Sequence, residues 1–81
     1  MNNKTILITG CSTGFGRLTA KLFQSKGWNV IATMRSPEKE AELAELSNVL
    51  VTKLDVTKQH SVGEAVAAGM AEFGRIDALM H

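Results

Sequence analysis

Apolar residues recur along this chain in two alternating rhythms. Short β-branched or aliphatic runs read as strands: Thr5 to Thr9, Trp28 to Met34 centred on Val30 and Ile31, Val49 to Leu54, and Ala78-Leu79-Met80. The first run is unbroken, which suits a parallel strand covered on both faces. Between the runs the spacing turns helical. Phe15, Leu18, Leu22 and Phe23 fall at i, i+3, i+7 and i+8, one apolar stripe of a helix from Gly14 to Lys26, and Gly27 is its stop signal. Ser36-Pro37-Glu38 reads as N-cap, first-turn proline and dipole-favoured acid, so a short helix is predicted to about Leu46, with Leu43 and Leu46 facing inward and Ser47-Asn48 as the turn. A third helix is predicted from Gln59 or Ser61 to Phe73. There Val62, Ala65, Val66, Gly69, Met70 and Phe73 hold helical spacing over three turns before Gly74 ends it. Arg75-Ile76-Asp77 leads into the last strand.

The resulting order is βαβαβαβ. Short connections and right-handed crossovers make it an α/β fold with a parallel, doubly wound sheet. The half-Rossmann strand order would be 3-2-1-4.

Composition narrows the setting. The chain has 81 residues, one small domain that buries only about 60–65% of its unfolded surface, so its stability is marginal without help. A hydrophobic content of 44% and a charged content of 21% argue for a globular chain over a disordered one. A formal net charge of +1 gives no electrostatic case for nucleic acid or for an anionic membrane. No apolar run approaches the ~20 residues that span a bilayer. Met1-Asn2-Asn3-Lys4 enters the first strand with no room for a signal peptide, and the single cysteine, Cys11, excludes an internal disulfide. Cytoplasmic residence is the expectation.

The chemistry gathers at Thr9-Gly10-Cys11-Ser12-Thr13-Gly14-Phe15-Gly16, between the first strand and the first helix. Glycines permit a tight turn and let backbone approach a ligand without an intervening Cβ. The helix start offers unpaired N–H groups and the positive end of the dipole, which suits a pyrophosphate. Gly10, Gly14 and Gly16 fit the roles of turn, close approach and helix–strand packing. Their spacing is Gly-x-x-x-Gly-x-Gly, and the strand before and helix after give the glycines their meaning. Ser12 and Thr13 either hydrogen-bond phosphate or ribose oxygens or cap the helix. Cys11 reads as a small packing residue.

This motif resembles the cofactor loop of the short-chain dehydrogenase/reductase family. Gly10 to Gly16 followed by Val30-Ile31-Ala32-Thr33-Met34-Arg35 is similar to members acting on steroids, retinoids and other carbonyl or alcohol substrates. The resemblance covers essentially the whole chain but only the first third of the family's domain, so residues 1–81 are expected to form a truncated Rossmann-type dinucleotide-binding domain.

Several roles follow from the resemblance. Gly10, Ser12, Thr13, Gly14, Phe15 and Gly16 would form the pyrophosphate loop. An NAD site normally carries a carboxylate about 20 residues beyond that loop, to bind the ribose 2′-OH. Here Met34 stands at that position and Arg35 follows. A guanidinium can hold a 2′-phosphate in a bidentate pair, and Ser36 could add a hydroxyl, so NADP is the expected cofactor, in preference to NAD. The alternative for Arg35 is a solvent-exposed strand end. Asp55-Val56 matches the family's adenine-pocket motif, with Asp55 accepting from the adenine amino group and Val56 in contact; the alternative is a turn carboxylate that starts the third helix. Arg17 reads as solvated or structural.

Other family features are missing from the 81 residues. Its catalytic Asn, Ser and Tyr-x-x-x-Lys lie beyond the fourth strand, and this chain contains no Tyr. His81 stands where the first Asn of Asn-Asn-Ala-Gly is expected, with no carboxylate or thiol partner in view, and His60 reads as exposed. The expected function is the NADP(H)-binding portion of an oxidoreductase, inactive by itself. The alternatives are a non-catalytic nucleotide-binding module and a residual folded unit that binds nothing. A fourth strand without a fifth would leave an unpaired edge, so a homodimer or higher oligomer through that edge is expected.

Overall fold

A computed structural model of the chain describes residues 3–81. The expectation about how the N-terminus enters the first strand therefore falls partly on Met1 and Asn2, outside the described residues. The elements are β1 (Thr5–Ile8), α1 (Gly14–Ser25), β2 (Asn29–Met34), β3 (Val49–Lys53), α2 (Gln59–Phe73) and β4 (Ala78–Met80). All strand pairs are parallel, and the sheet order is β3-β2-β1-β4. This is the strand order expected from the alternating pattern.

The register places Ile6 beside Val30 and Ala78, and Leu7 beside Ile31 and Leu79. Side chains alternate across the pleat, so the two sheet faces build two cores. On one face Ile6, Ile8, Val30, Ala32 and Met34 pack with Cys11, Ala20 of α1 and Leu43. On the other, Leu7 and Ile31 pack with Leu54 and with Ala65 of α2. The sheet is thus covered on both sides, as a parallel sheet requires.

Two parts differ from the sequence-based expectation. The predicted helix after Ser36 is two separate 3₁₀ turns, Pro37–Lys39 and Leu43–Glu45. Ser36 makes no side-chain cap bond, and Glu40 is extended at φ −96°, ψ 129°. Tertiary contacts hold Glu40 there: its carboxylate accepts from the Arg17 guanidinium and from the Leu43 N–H. Leu43 still reaches the core, fully buried, and Leu46 packs beside it.

The second difference concerns α1. Its buried residues are Thr19 and Ala20, while Phe15, Leu18 and Leu22 are 80%, 67% and 52% exposed. The helix lies too close to the sheet for bulky residues. An ideal Cβ on Gly16 would overlap the Gly10 carbonyl, 2.9 Å from its carbon and 3.1 Å from the Thr9 oxygen. The small-residue face therefore meets the strands; Phe15, Leu18 and Leu22 point elsewhere, while Phe23, the last residue of the stripe, packs against the core beside Trp28. In α2, Ala65 and Gly69 are buried, while Val62 and Met70 of its apolar set are largely exposed.

β4 is tied to β1 by more than the ladder. Asp77 donates its N–H to the Thr5 carbonyl at 2.8 Å, and its carboxylate accepts the Thr5 N–H, also at 2.8 Å. Arg75 forks onto the same carboxylate.

Candidate functional site

The carboxyl ends of the parallel strands open into one cleft, the place where open α/β sheets take their ligands. A cavity of about 570 Å³ lies there. Its floor is Thr9 and Gly10, from the end of β1, with Ser12 from the following turn. One side is Met34, Arg35, Ser36 and Lys39, beyond β2; Leu54 and Val56 come from beyond β3, and His81 from beyond β4.

The turn after β1 is held from beneath. The Cys11 N–H donates to the Thr33 carbonyl at 3.0 Å, and the Thr33 hydroxyl donates to the Ile8 carbonyl at 2.8 Å. Cys11 is fully buried, its thiol directed at the Ile8 carbonyl, and burial pushes the thiol up to about 11. It is a packing residue, in keeping with the sequence reading.

Gly10 and Gly14 adopt φ of +67° and +59°, the left-handed region that favours glycine. No heavy atom lies within 4 Å of where a Cβ would project from either residue. Thr13 occupies the N-cap position of α1 with extended backbone, but its side chain makes no capping bond, and the first turn carries no acidic residue. The capping alternative for Thr13 is therefore not realised. The α1 N-terminus keeps its donors and its positive end for an anion. This turn suits a pyrophosphate: glycines where a side chain would obstruct approach, an uncapped helix start, and no competing carboxylate.

Arg17, just inside α1, is structural. It pairs with Glu40 and Glu42, and Lys21 reaches Glu42 at 2.9 Å. Glu40 is held below the usual carboxylate range, first by the Arg17 hydrogen bond and then by the Leu43 N–H; Glu42 is lowered by Lys21 and Arg17. This cluster fastens α1 to the segment that carries Arg35, Ser36 and Lys39.

The sequence-predicted residues divide among two hollows and the turn beside the larger one. Gly10, Ser12, Arg35, Ser36 and Val56 line the cleft. Thr13, Gly14, Phe15 and Gly16 form the turn and the start of α1 beside it without lining it, and the Phe15 side chain faces away into solvent. Asp55 lines a smaller hollow of about 310 Å³, with Lys53, Lys58, His60 and Glu64 among its walls. Its Oδ1 accepts from the Thr57 hydroxyl at 2.7 Å and the Thr57 N–H at 3.0 Å, and these two bonds, in that order, lower its pKa. Asp55 thus makes the turn contact of the alternative reading, with one of its two carboxylate oxygens.

Beyond these, Thr9, Met34, Lys39, Leu54 and His81 line the cleft, and Lys39 and His81 are the two that bring a basic side chain. Lys39 adds a second cation on the Arg35 side, brought there by the 3₁₀ turn after Pro37. A regular helix over 37–46 offered no reason to single it out. His81 lines the opposite end, its Nδ1 3.1 Å from the Thr9 hydroxyl. Among the described residues no cluster of three or more His, Cys, Asp or Glu is placed to hold a metal ion.

The model of a family described as "short chain dehydrogenase" matches residues 4–81, with the Gly-rich turn, Arg35 and Asp55 inside the match. The chain belongs to the short-chain dehydrogenase family. Serine 3-dehydrogenase from Agrobacterium fabrum is 42% identical over 79 residues, 95% of this chain and 32% of that protein. Among solved structures, 3-ketoacyl-(acyl-carrier-protein) reductase from Brucella melitensis complexed with NADH superposes with TM-score 0.84 at 35% identity, over 94% of this chain and 32% of that one. NADPH-dependent 3-quinuclidinone reductase from Rhodotorula rubra superposes with TM-score 0.85 at 33% identity, over 98% and 32%. The chain spans about a quarter to a third of the length of the curated relatives it matches.

Proposed function

We propose that residues 1–81 form the adenosine- and pyrophosphate-binding portion of an NADP(H)-dependent short-chain dehydrogenase/reductase. The observation that carries this is the cleft itself: Thr9, Gly10 and Ser12 of the glycine turn at its floor, the uncapped start of α1 beside it, Arg35 and Lys39 on one wall, and Met34 where an NAD site places an acid. When bound, the dinucleotide supplies the hydride-accepting and hydride-donating nicotinamide carbon of the family's oxidation and reduction of alcohols and carbonyls. The chain's own residues bind and orient. Gly10, Gly14 and Gly16 bring the α1 N–H groups up to the pyrophosphate, with Ser12 and Thr13 adding hydroxyl donors and Phe15 shaping the helix start. Arg35, Ser36 and Lys39 hold the 2′-phosphate. Val56 borders the adenine, and the Asp55 oxygen not engaged by Thr57 accepts from its amino group. Relatives complexed with NADH and dependent on NADPH both exist, so the preference rests on these side chains alone. A cytoplasmic location accords with this cofactor, and no described helix is long and apolar enough to cross a membrane.

Calorimetric titration with 2′,5′-ADP against 5′-AMP tests the assignment. Binding to this portion alone is expected near the millimolar range, about 4 kcal/mol, with the 2′-phosphate favoured roughly tenfold. Arg35→Ala should abolish most of that preference and Lys39→Ala a smaller part. Equal affinities in the unaltered chain, or a preference that survives Arg35→Ala, would refute it.

For the 81-residue polypeptide by itself we further propose association through β4. Among the described residues β4 pairs with β1 alone, Leu79 is 61% exposed, and the Phe15–Leu18–Leu22 stripe of α1 is also uncovered. An open strand edge beside apolar surface favours a homodimer or higher oligomer.

A further inference from the structure

We propose that Glu40 is the positioning residue of the wall that takes the 2′-phosphate. Held by Arg17, it sets Arg35, Ser36 and Lys39 at a fixed span from the glycine turn, and so carries much of the discrimination against a ligand lacking that phosphate, without touching the ligand. The inference rests on the reading of the cleft as an NADP(H) site.

The wall is a stretch of chain slung between two supports. At one end Met34 closes β2, its carbonyl accepting the Leu54 N–H at 2.9 Å. At the other, Leu43 is fully buried in the core. Between them the backbone bonds are local: the Lys39 N–H donates to the Ser36 carbonyl at 3.1 Å, and the Glu40 N–H to the Pro37 carbonyl at 3.0 Å. These fold the stretch onto itself but do not place it in the molecule. Among the described residues, the hydrogen bonds and ion pairs that do place it all come from α1: from Arg17 to Glu40 and Glu42, and from Lys21 to Glu42.

Glu40 and Glu42 are not equivalent anchors. The Glu40 side chain is 7% exposed, against 59% for Glu42. Arg17 forks onto both Glu40 oxygens, Nη1 to Oε1 and Nη2 to Oε2, and Oε2 also accepts the Leu43 N–H at 2.8 Å. A shielded two-pronged pair fixes distance and orientation together, whereas an exposed pair is screened and contributes little. Arg17 itself stands in the first turn of α1, beside the glycines. One fork therefore sets the span between the pyrophosphate donors and the cations of the wall. A ligand with two anionic groups gains from both sites only if that span is held.

Charge and position predict opposite outcomes when Glu40 loses its charge. A carboxylate near an anion site repels the ligand, so its removal would by charge alone tighten binding, most of all for the more highly charged ligand. Loss of the anchor instead frees the wall and weakens the hold on the 2′-phosphate.

The test compares 2′,5′-ADP with 5′-AMP by calorimetry, at a temperature where circular dichroism shows each variant folded. In Glu40→Gln the roughly tenfold preference expected of the unaltered chain should fall to about two- to threefold, with 5′-AMP affinity kept within about twofold. Glu38→Gln removes the same charge from an exposed position of the same stretch and should keep the preference. Arg17→Lys, which keeps the cation but not the fork, should lose part of it. One readout needs no variant. In the unaltered chain, amide exchange of Leu43 should slow more with 2′,5′-ADP than with 5′-AMP at equal saturation, because ligand and anchor strengthen each other reciprocally. An undiminished preference in folded Glu40→Gln, or equal Leu43 protection by the two ligands, overturns the role of Glu40 and leaves the cleft assignment standing. Equal affinities for the two ligands in the unaltered chain overturn the NADP(H) reading, and this inference with it.

Discussion

Replacing glycine by alanine should have opposite effects at two positions of this chain. At Gly16 a Cβ would meet backbone, the Gly10 carbonyl and the Thr9 oxygen, and neither can swing aside as a side chain could. Forced overpacking of this kind is destabilising by about 1–3 kcal/mol. Alanine's helix preference returns about 0.5–1 kcal/mol, leaving a net loss of about 1–2 kcal/mol. At Gly63, exposed on α2 with no atom within 4 Å of a Cβ, only the helix preference operates, a gain of about 0.5–1 kcal/mol. For a domain of this size each kcal/mol shifts Tm by roughly 4–8 °C. Gly16→Ala should therefore melt roughly 5–15 °C lower, and Gly63→Ala a few degrees higher, by far-UV circular dichroism at one fixed protein concentration. Gly16→Ala should also weaken 2′,5′-ADP binding at least tenfold, roughly 1.4 kcal/mol or more, because the α1 start must retreat from the Gly10 turn. If Gly16→Ala melts with Gly63→Ala and keeps its ligand, the close contact of α1 with the β1 end is not what holds the turn.

Cys11 should resist aromatic disulfide reagents at pH 8 in the folded chain, with labelling following global unfolding; rapid labelling under native conditions would contradict its burial. Because the folded thiol is raised from 9.0 to about 11, its contribution to stability is present below pH 9 and lost as pH climbs towards 11, so Cys11→Ala should show a shallower alkaline decline in urea midpoint. Glu40, Glu42 and Asp77 are all lowered, so their contribution is present above the unfolded carboxylate range, near pH 4, and lost as pH falls through the folded values. Glu40→Gln should start less stable at pH 6 yet lose less between pH 5 and pH 3; parallel curves would dismiss the Arg17–Glu40 pair as a source of the acid sensitivity. Light scattering over a concentration series should show the 81-residue chain associating; a monomer at high micromolar concentration, with protected amides along residues 78–80, would refute pairing through β4.

The strands and their order were legible because each apolar run is short, β-branched or aliphatic, and separated by clear helix or turn signals. The Gly-rich turn was equally plain, since its glycines sit between a strand and a helix. The segment from Ser36 to Leu46 was not. Its local signals favour a helix start, but an extended Glu40 bound to Arg17, 23 residues earlier, overrides them. No periodicity reports so distant an ion pair. The α1 stripe misled for a related reason: periodicity located apolar residues, whereas the close approach at Gly16 selected small ones for the sheet. Within the cleft, Lys39 escaped notice because its place depends on that irregular segment, and His81 because its partner is 72 residues away.

That same separation affects the order in which the sheet assembles. β1 joins β2 across 24 positions of chain and β4 across 72. Closing the longer loop carries roughly 1 kcal/mol more entropy loss, if each closure is made from the open chain. In the 81-residue polypeptide by itself β4 is also only three residues long and, among the described residues, pairs with β1 alone. It should dock last during folding and detach first in local opening, ahead of any rupture between β1 and β2. The cleft is thus built from one durable wall and one that breathes. A ligand touching both would act as a clamp across them, and its presence should be most visible in slowed amide exchange of Leu79 and Met80, at the far side of the sheet from Arg35.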